Sequence, residues 1–461
     1  VTSERYHFVG IGGIGMSALA RLLLERGAGV SGSDLKASAL LDALGAEGAR
    51  IAVGQRAENV GDATMLVVSS AIAPENPEYA AARERGIPVI TRGELLAQLT
   101  RGKRTVAIAG THGKTTTTAM TAAIFEAAGL DPTVAVGGER LDTHRNARSG
   151  AGSWFITESD ESDGSFLFLS PAIAVITNIE NDHIASDADI PRLIAQFTAF
   201  VTSVSADGHV VIGNDNPSSA LLAASAAVPV TTFATRGPAT LCARDIRYAA
   251  LGSRSRIEEH DRVLGELVLR VPGEINVQNA LAALAAARAA GVDFAVAARA
   301  LAAFTGVRRR FEIVGRSEAL TVVDDYAHHP TAVAETIAAA RAAHDGPIVV
   351  AFQPHRYSRT AYLAADFARA LAGADHVVLA PVYAASEAPL EGVSERSIGE
   401  PLALAGTPVS YVAAVDDLIE RIPAIAPPNA LVLMLGAGSI SGIAHALGAR
   451  IGTPAAALAR G

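Results

Sequence analysis

Cysteine is almost absent: Cys242 stands alone in 461 residues. A single thiol excludes an intrachain disulfide framework and a thiolate metal cluster within one chain, and it fits a reducing compartment. Lysine is nearly as scarce. Only Lys36, Lys103 and Lys114 occur, and arginine supplies the rest of the 38 basic residues. Against such a bias, a lysine that persists marks a place where the ammonium itself is wanted. Excess positive charge is lacking too. The formal net charge is −9, which disfavours a nucleic-acid partner, whose footprint would be basic. No apolar run approaches the roughly 20 residues that span a bilayer. The N-terminal stretch has no basic n-region followed by an apolar h-region, so no signal peptide and no membrane partner are expected, and the expected location is cytoplasmic.

What is present is a long alternation of strands and helices. The length predicts two to four domains at about 100–200 residues each, and a hydrophobic content of 50% is ample for their cores. HFVGI reads as a strand, SALARLLLERG as an amphipathic helix closed by Gly27, and GVSGSD as a second strand ending in an acid. MLVVSSAI and IPVITRGELLAQLT follow, and RGK at 101–103 reads as a linker. A second block opens at RTVAIAG, a buried strand running into the helix THGKTTTTAMTAAIFEAAG. SWFITESD, AIAVITNIENDH, HVVIG, VPVTTFA and GELVLRVPG read as further strands, and NVQNALAALAAARAAG as a helix. A third block starts near RRRFEIVG, and in it LTVVDDYAHHP, PIVVAFQPH, DHVVLAPVY and ALVLMLGAGS each run from strand into turn. Alternation of this kind predicts an α/β fold of doubly wound, mainly parallel sheets. Ligands then sit at the carboxyl ends of strands, where all these polar clusters fall.

Two stretches carry phosphate chemistry. GIGGIGM places Gly10, Gly12 and Gly15 as G-x-G-x-x-G, with Asp34 about twenty residues on, the spacing of a diphosphate cradle on a helix N-terminus. A close strand–helix crossing without ligand would also want these glycines. GTHGKTTTT, residues 110–118, turns a strand into a helix on Gly110 and Gly113. Exposed N–H groups and the helix dipole favour phosphate there; Lys114 can reach the β- and γ-phosphates and the Thr115 hydroxyl can bind Mg²⁺. The match is the short form G-x-x-G-K-T, because Ile108 occupies the first glycine position of the longer pattern. ESDESDG at 158–164 puts acids at the end of a neighbouring strand, where a nucleoside triphosphatase holds its metal. NIENDH brings His183 to the end of another. QPHRYSRT groups His355, Arg356 and Arg359 at a helix start, a setting that suits a carboxylate or phosphate.

Taken in order, GIGGIGMSALA, SGSD, SSAI, GTHGKTTTTAM, ESDESDGSF, ITNIENDH, NVQNALAA, GVRRRFE, DDYAHHPTAV, FQPHRYSRT and GAGSI resemble the Mur ligase family over nearly the whole chain. The resemblance implies three α/β domains: a Rossmann-like UDP-sugar domain at 1–101, a central P-loop ATPase-type domain with a parallel or mixed sheet at 102–310, and a Rossmann-like amino-acid domain at 311–461. It implies an ATP-dependent ligase of bacterial peptidoglycan precursor synthesis that joins L-alanine to the carboxylate of UDP-N-acetylmuramate through an acyl phosphate. The alternative is the recycling branch, which adds a whole peptide to the same sugar nucleotide. That branch typically carries a cysteine in the first glycine loop, and none stands there in this sequence. Later ligases of the family carry a carbamylated lysine after the ENDH-type segment, whereas residues 184–204 contain no lysine.

By the same resemblance, ATP falls to Gly110, Thr111, His112, Gly113, Lys114, Thr115, Thr116, Asn276 and Asn279. The UDP-sugar falls to Gly12, Gly13, Gly15, Met16, Ser17, Asp34, Ser70 and Arg310, with Arg309 a second candidate at the domain junction. The amino acid falls to Tyr326, His355, Arg356 and Arg359. Thr115, Glu158 and His183 are the implied ligands of Mg²⁺ or Mn²⁺. Lys114, Glu158, His183, Arg310, His328 and His355 are the implied catalytic set, with His328 and His355 both open as the base for the amine. A monomer or homodimer is expected.

Overall fold

The computed structural model describes residues 4–160, 164–180, 190–249, 251–385 and 387–454. The chain divides into two compact units. The first is Val1–Arg244 with Ile257–Gly265 and Gln278–Leu301; the second is Asp245–Arg256 with Glu266–Val277 and Ala302–Gly461.

The first unit contains two sheets. β1 (Arg5–Val9), β2 (Gly29–Asp34), β3 (Arg50–Val53), β4 (Met65–Val68) and β5 (Val89–Thr91) are ordered β3-β2-β1-β4-β5, all parallel. The chain steps outward from β1 to β3 and then crosses back to β4. The carboxyl ends of β1 and β4 therefore form the switch point at which such sheets bind ligands. The second sheet holds β6 (Arg104–Ala109), β7 (Thr133–Ala135), β8 (Ala147–Arg148), β9 (Trp154–Glu158), β10 (Ile173–Ile176), β11 (His209–Gly213) and β12 (Val230–Ala234). Within this unit they run β12-β11-β10-β6-β9-β7-β8, parallel except for β7 against β8. β6 is central, flanked by β9 and β10, so the turns after all three strands meet at one edge.

The two sheets share a core. Phe8, Leu19, Leu23, Leu96 and Leu99 belong to the same buried cluster as Ala107, Phe155, Phe166 and Ile176. Polar contacts reinforce the join. Arg145 pairs with Glu25 at 2.8 Å, and Asn146 Nδ2 donates to Ile14 O and Ser17 Oγ, each at 3.0 Å.

β13 (Leu241–Ala249), β14 (Gly252–Glu259) and β15 (Arg262–Leu269) follow, and each is divided between the units. The sequence reading anticipates only the last of them. In β13, LCARDIRYA, exposure alternates along the second half of the strand, so arginine and aspartate face solvent and the apolar signal is diluted.

In the second unit, β16 (Glu312–Arg316), β17 (Leu320–Asp325), β18 (Ile348–Phe352), β19 (His376–Leu379), β20 (Val409–Tyr411), β21 (Ala430–Leu435) and β22 (Thr453–Pro454) are ordered β20-β19-β18-β21-β17-β16-β22. β17 to β21 are mutually parallel. β16 runs antiparallel to β17 and β22; the turn at 317–319 is too short for a crossover and closes a hairpin instead. Alternate strand residues feed two cores. Val323, Leu431 and Leu433 pack with Val333, Ile337 and Phe367 from the helices Pro330–Ala343 and Tyr357–Leu371. Val322, Val432 and Met434 pack with Leu418, Ile440 and Leu447 on the other face. Among the described residues no helix is long and apolar enough to cross a membrane.

Candidate active site

The first glycine loop leaves β1 at Gly10, whose φ of +80° favours glycine. Ser33 O, from β2, accepts the N–H groups of Gly10 at 2.8 Å and Ile11 at 2.9 Å. Asp34 Oδ2 accepts from Gly12 N at 3.0 Å, and a Cβ at Gly12 would lie 2.7 Å from that oxygen. The loop is thereby closed onto the acid that ends β2. The helix Ile14–Glu25 starts there with Gly13 as N-cap and no side-chain cap. Its first-turn N–H groups face outward with the positive end of the dipole. Met16 and Ser17 are buried behind it, while Ser70 is exposed at the end of β4.

The second loop leaves β6 at Gly110, with φ of +132°, and enters the helix Lys114–Ala127 through Gly113, with φ of +81°. Here too no side chain caps the helix. Lys114 Nζ curls back to donate to Gly110 O at 2.6 Å and lies 3.9 Å from Asp160 Oδ1. Thr115 Oγ1 donates to Glu158 Oε2 at 2.9 Å. The other Glu158 oxygen accepts from Gly137 N, so the carboxylate at the end of β9 is aimed at the helix start. From the far side of β6, His112 N donates to Asn178 Oδ1 at 2.8 Å, and Thr111 Oγ1 and Glu180 N are joined at 2.8 Å. His112 Nε2 lies 3.4 Å from Glu180 Oε2. Asn279 is buried against the loop. Its Oδ1 accepts from Thr117 Oγ1 at 3.2 Å and fills the space that a Cβ on Gly113 would need. Thr116 is buried in the first helical turn.

The two loops are linked by residues that sequence reasoning missed. Arg92 lies beside the first loop, its Nη1 3.2 Å from the position of a Gly15 Cβ, and its Nη2 donates to Ser165 Oγ at 3.4 Å. Ser165 Oγ contacts Asp160 N at 3.3 Å, and Asp160 faces Lys114. The path Gly15, Arg92, Ser165, Asp160, Lys114 thus runs from one cradle to the other inside one unit. A local signal existed for Arg92. The run TRGE is a capping box: Thr91 Oγ1 accepts from Glu94 N at 3.2 Å and opens the helix Arg92–Thr100.

The second unit gathers its own cluster at the ends of β17, β18 and β21. Tyr326 and His328 rings stand 4.8 Å apart, His328 and His355 5.9 Å, and His355 stacks on Tyr383 at 5.6 Å. His328 Nδ1 lies 2.8 Å from Tyr326 O; a carbonyl only accepts, so Nδ1 donates its proton there. Burial, with Arg359 and Arg356 alongside, pushes the His355 imidazole down to about 4. Arg356 has φ of +70°, a left-handed conformation unusual for a residue with a side chain, at the start of the helix Tyr357–Leu371. Arg310 lies 5.3 Å over the Tyr326 ring. Burial pushes Asp325 up to about 6, against the opposing pull of Arg310 and of N–H bonds from Phe311 and Ala327. Gln353 closes the GAGS turn, its Oε1 accepting from Ile440 N at 3.0 Å. Asn276, in the second unit, donates to Pro272 O at 2.7 Å. His183 lies outside the described residues.

Three matches bear on what these loops belong to. Residues 5–104 match the Mur ligase family, catalytic domain; residues 108–287 the Mur ligase middle domain; residues 309–438 the Mur ligase, glutamate ligase domain. A UDP-N-acetylmuramate–L-alanine ligase of Desulforamulus reducens is 43% identical over 95% of this chain and 96% of its own length. One of Acidithiobacillus ferrooxidans is 45% identical over 96% of each. The crystal structure of a UDP-N-acetylmuramate-alanine ligase from Thermotoga maritima superposes with a TM-score of 0.84 at 32% identity, covering 97% of this chain and 98% of that one. With all three blocks matched in order and relatives this similar end to end, the chain belongs to the Mur ligase family.

Proposed function

We propose that the protein joins L-alanine to the carboxylate of UDP-N-acetylmuramate at the expense of ATP, giving ADP and phosphate, as a step of peptidoglycan precursor synthesis in the cytoplasm. The observation that carries this reading is the pair of separate anion cradles, at Gly10–Gly15 and Gly110–Lys114, linked through Arg92, Ser165 and Asp160. A dehydrogenase explains the first cradle only, and a nucleotide switch the second only. The alanine-joining relatives, similar over nearly their full length, favour this over the peptide-adding alternative.

The first loop, with Gly12, Gly13, Gly15, Met16, Ser17, Asp34 and Ser70, takes the UDP-sugar. The second, with Thr111, His112, Lys114, Thr115, Thr116 and Asn279, takes the triphosphate, and Asn276 belongs with it. A carboxylate oxygen attacks the γ-phosphorus, the β–γ bridging bond breaks, and ADP leaves. The neutral amine of alanine then attacks the acyl carbon, phosphate departs, and the amine loses a proton. Two anions must meet in the first step. At about 4 Å their repulsion is of order 4 kcal/mol in partly shielded surroundings, so Lys114 and Arg310 serve by neutralising charge. The hydroxyl of Thr115 and the carboxylate of Glu158, 2.9 Å apart, are hard oxygen donors that fit Mg²⁺. With His183 they would hold the ion, which supplies further charge neutralisation at the phosphates. Arg356 and Arg359 suit the alanine carboxylate. Between the histidines, His328 is the better base. His355, pushed down to about 4, binds a proton weakly, which favours His328 as the group that takes the proton from the amine.

ADP release measured with ATP, UDP-N-acetylmuramate and each amino acid in turn tests the reading: release should require both acceptor and L-alanine. Release that is indifferent to the amine would point to a plain ATPase. Arg92→Ala should weaken UDP-N-acetylmuramate binding by about tenfold or more, the worth of a charge-assisted hydrogen bond. ATP affinity in the same calorimetry should shift by less than about twofold.

A further inference from the structure

We infer that Arg309, anchored by the buried carboxylate of Asp324, is a positioning residue for the amino-acid site rather than a contact to phosphate or substrate. This rests on the alanine-joining reading above. Arg309 ties three segments together. Its carbonyl accepts from Tyr326 N at 2.9 Å, its Nη2 donates to Gly436 O at 2.8 Å, and its guanidinium lies 4.8 Å over the Tyr326 ring. Gly436 opens the GAGS turn that Gln353 closes, and Tyr326 is the ring against which His328 packs. The guanidinium is committed inward by charge. Its Nε lies 3.9 Å from Asp324 Oδ2, and Asp324 is wholly buried. Asp324 is itself fixed by Ser441 Oγ at 2.5 Å and has His445 Nε2 at 3.6 Å. Glu312 accepts the Arg309 N–H at 2.9 Å.

The backbone agrees with this anchoring. Arg309 and Phe311 have φ of +59° and +49°, in the left-handed region. Residues with side chains stay there only where their surroundings hold them. A lysine could supply the charge, but it could not reach Gly436 O and stay over the Tyr326 ring at once. Released from Asp324, the guanidinium would let Tyr326 and the GAGS turn drift, and with them the surface that orients alanine.

The experiment is steady-state kinetics on the full chain with each substrate varied. Wild-type ADP release that requires L-alanine secures the parent reading; if it is absent, that reading fails and this inference with it. Given that activity, Asp324→Asn and Arg309→Lys should each raise KM for L-alanine by about tenfold or more, as expected of a small misplacement at a reacting site. KM for ATP and for UDP-N-acetylmuramate should stay within about twofold. Arg309→Lys carries the test if Asp324→Asn does not fold. A fall in kcat with all three KM values unchanged would mark a merely structural role and overturn the inference. So would stoichiometric Zn²⁺ in the wild type that Asp324→Asn loses, since Glu312, Asp324 and His445 would then be a cation site.

Discussion

A Lys114→Ala enzyme should release ADP at about a thousandth of the parent rate or less, the equivalent of about 4 kcal/mol at the transition state. UDP-N-acetylmuramate should still bind. The loop that carries Lys114 has two glycines at positive φ and a helix start with no side-chain cap, so its N–H groups supply partial charge, whereas the lysine supplies a full one. Its Nζ is held by Gly110 O at 2.6 Å and faces Asp160 at 3.9 Å, at the start of the helix. The first glycine loop, proposed to take the sugar nucleotide, begins a hundred residues earlier in the chain and is built from β1, β2 and Arg92, so affinity for that ligand should shift little. Lys114→Arg should fail as well, by about a hundredfold, because a broad planar fork cannot stand where a compact ammonium does. Calorimetry with UDP-N-acetylmuramate and a coupled ADP assay separate the two effects. A matching loss of sugar-nucleotide affinity would mean that the loop had collapsed rather than lost a charge.

The scarcity of lysine makes Lys114 conspicuous in the sequence, and the fold is legible there for a related reason. Strands buried on both faces are uninterrupted apolar runs, so TVAIA and IVVAF stand out and coincide with β6 and β18 within a residue or so. β13 and β14 escape because every second residue meets water, which spreads arginines and acids along them. The glycine loops are legible for a local reason: the turn, the close approach and the helix start are all written within a few consecutive residues. What joins them is not local. Arg92 meets Ser165 across 73 positions, and Asn146 meets Ile14 across 132. No spacing rule encodes such pairs, since they arise only once the two sheets have packed on a common core. The same holds for Asp325 and Tyr383, which gain their meaning from the imidazoles and guanidinium groups brought to them by other strands.

Removing one buried carboxylate should cost more stability than any surface change. Glu78 in the helix Pro77–Glu84 is wholly buried and accepts from Ser33 Oγ at 2.6 Å, Asn59 Nδ2 at 2.6 Å and Arg56 N at 3.2 Å, with His7 Nε2 at 3.4 Å. Burial opposes its ionisation, but the neighbouring His7 imidazole and the hydrogen bonds from Ser33 and Asn59 outweigh it and hold the carboxyl below its usual range. Glu78→Ala leaves three donors and a buried imidazole unmatched, so a loss of about 3–5 kcal/mol is expected in denaturant unfolding at neutral pH. The sign of the pH effect follows from the lowered pKa. The folded state holds the ionised form more strongly than the unfolded chain does. Its stabilisation is therefore complete above the ordinary carboxylate range and is lost as pH falls through the folded value. The gap between parent and variant should narrow in acid. A gap that is constant with pH would assign the loss to packing alone. Ser33, one of the three donors, also offers its carbonyl to Gly10 and Ile11. Stability and sugar-nucleotide binding should therefore fall together in this variant, because the floor of the first cradle is the same strand that Glu78 holds in place.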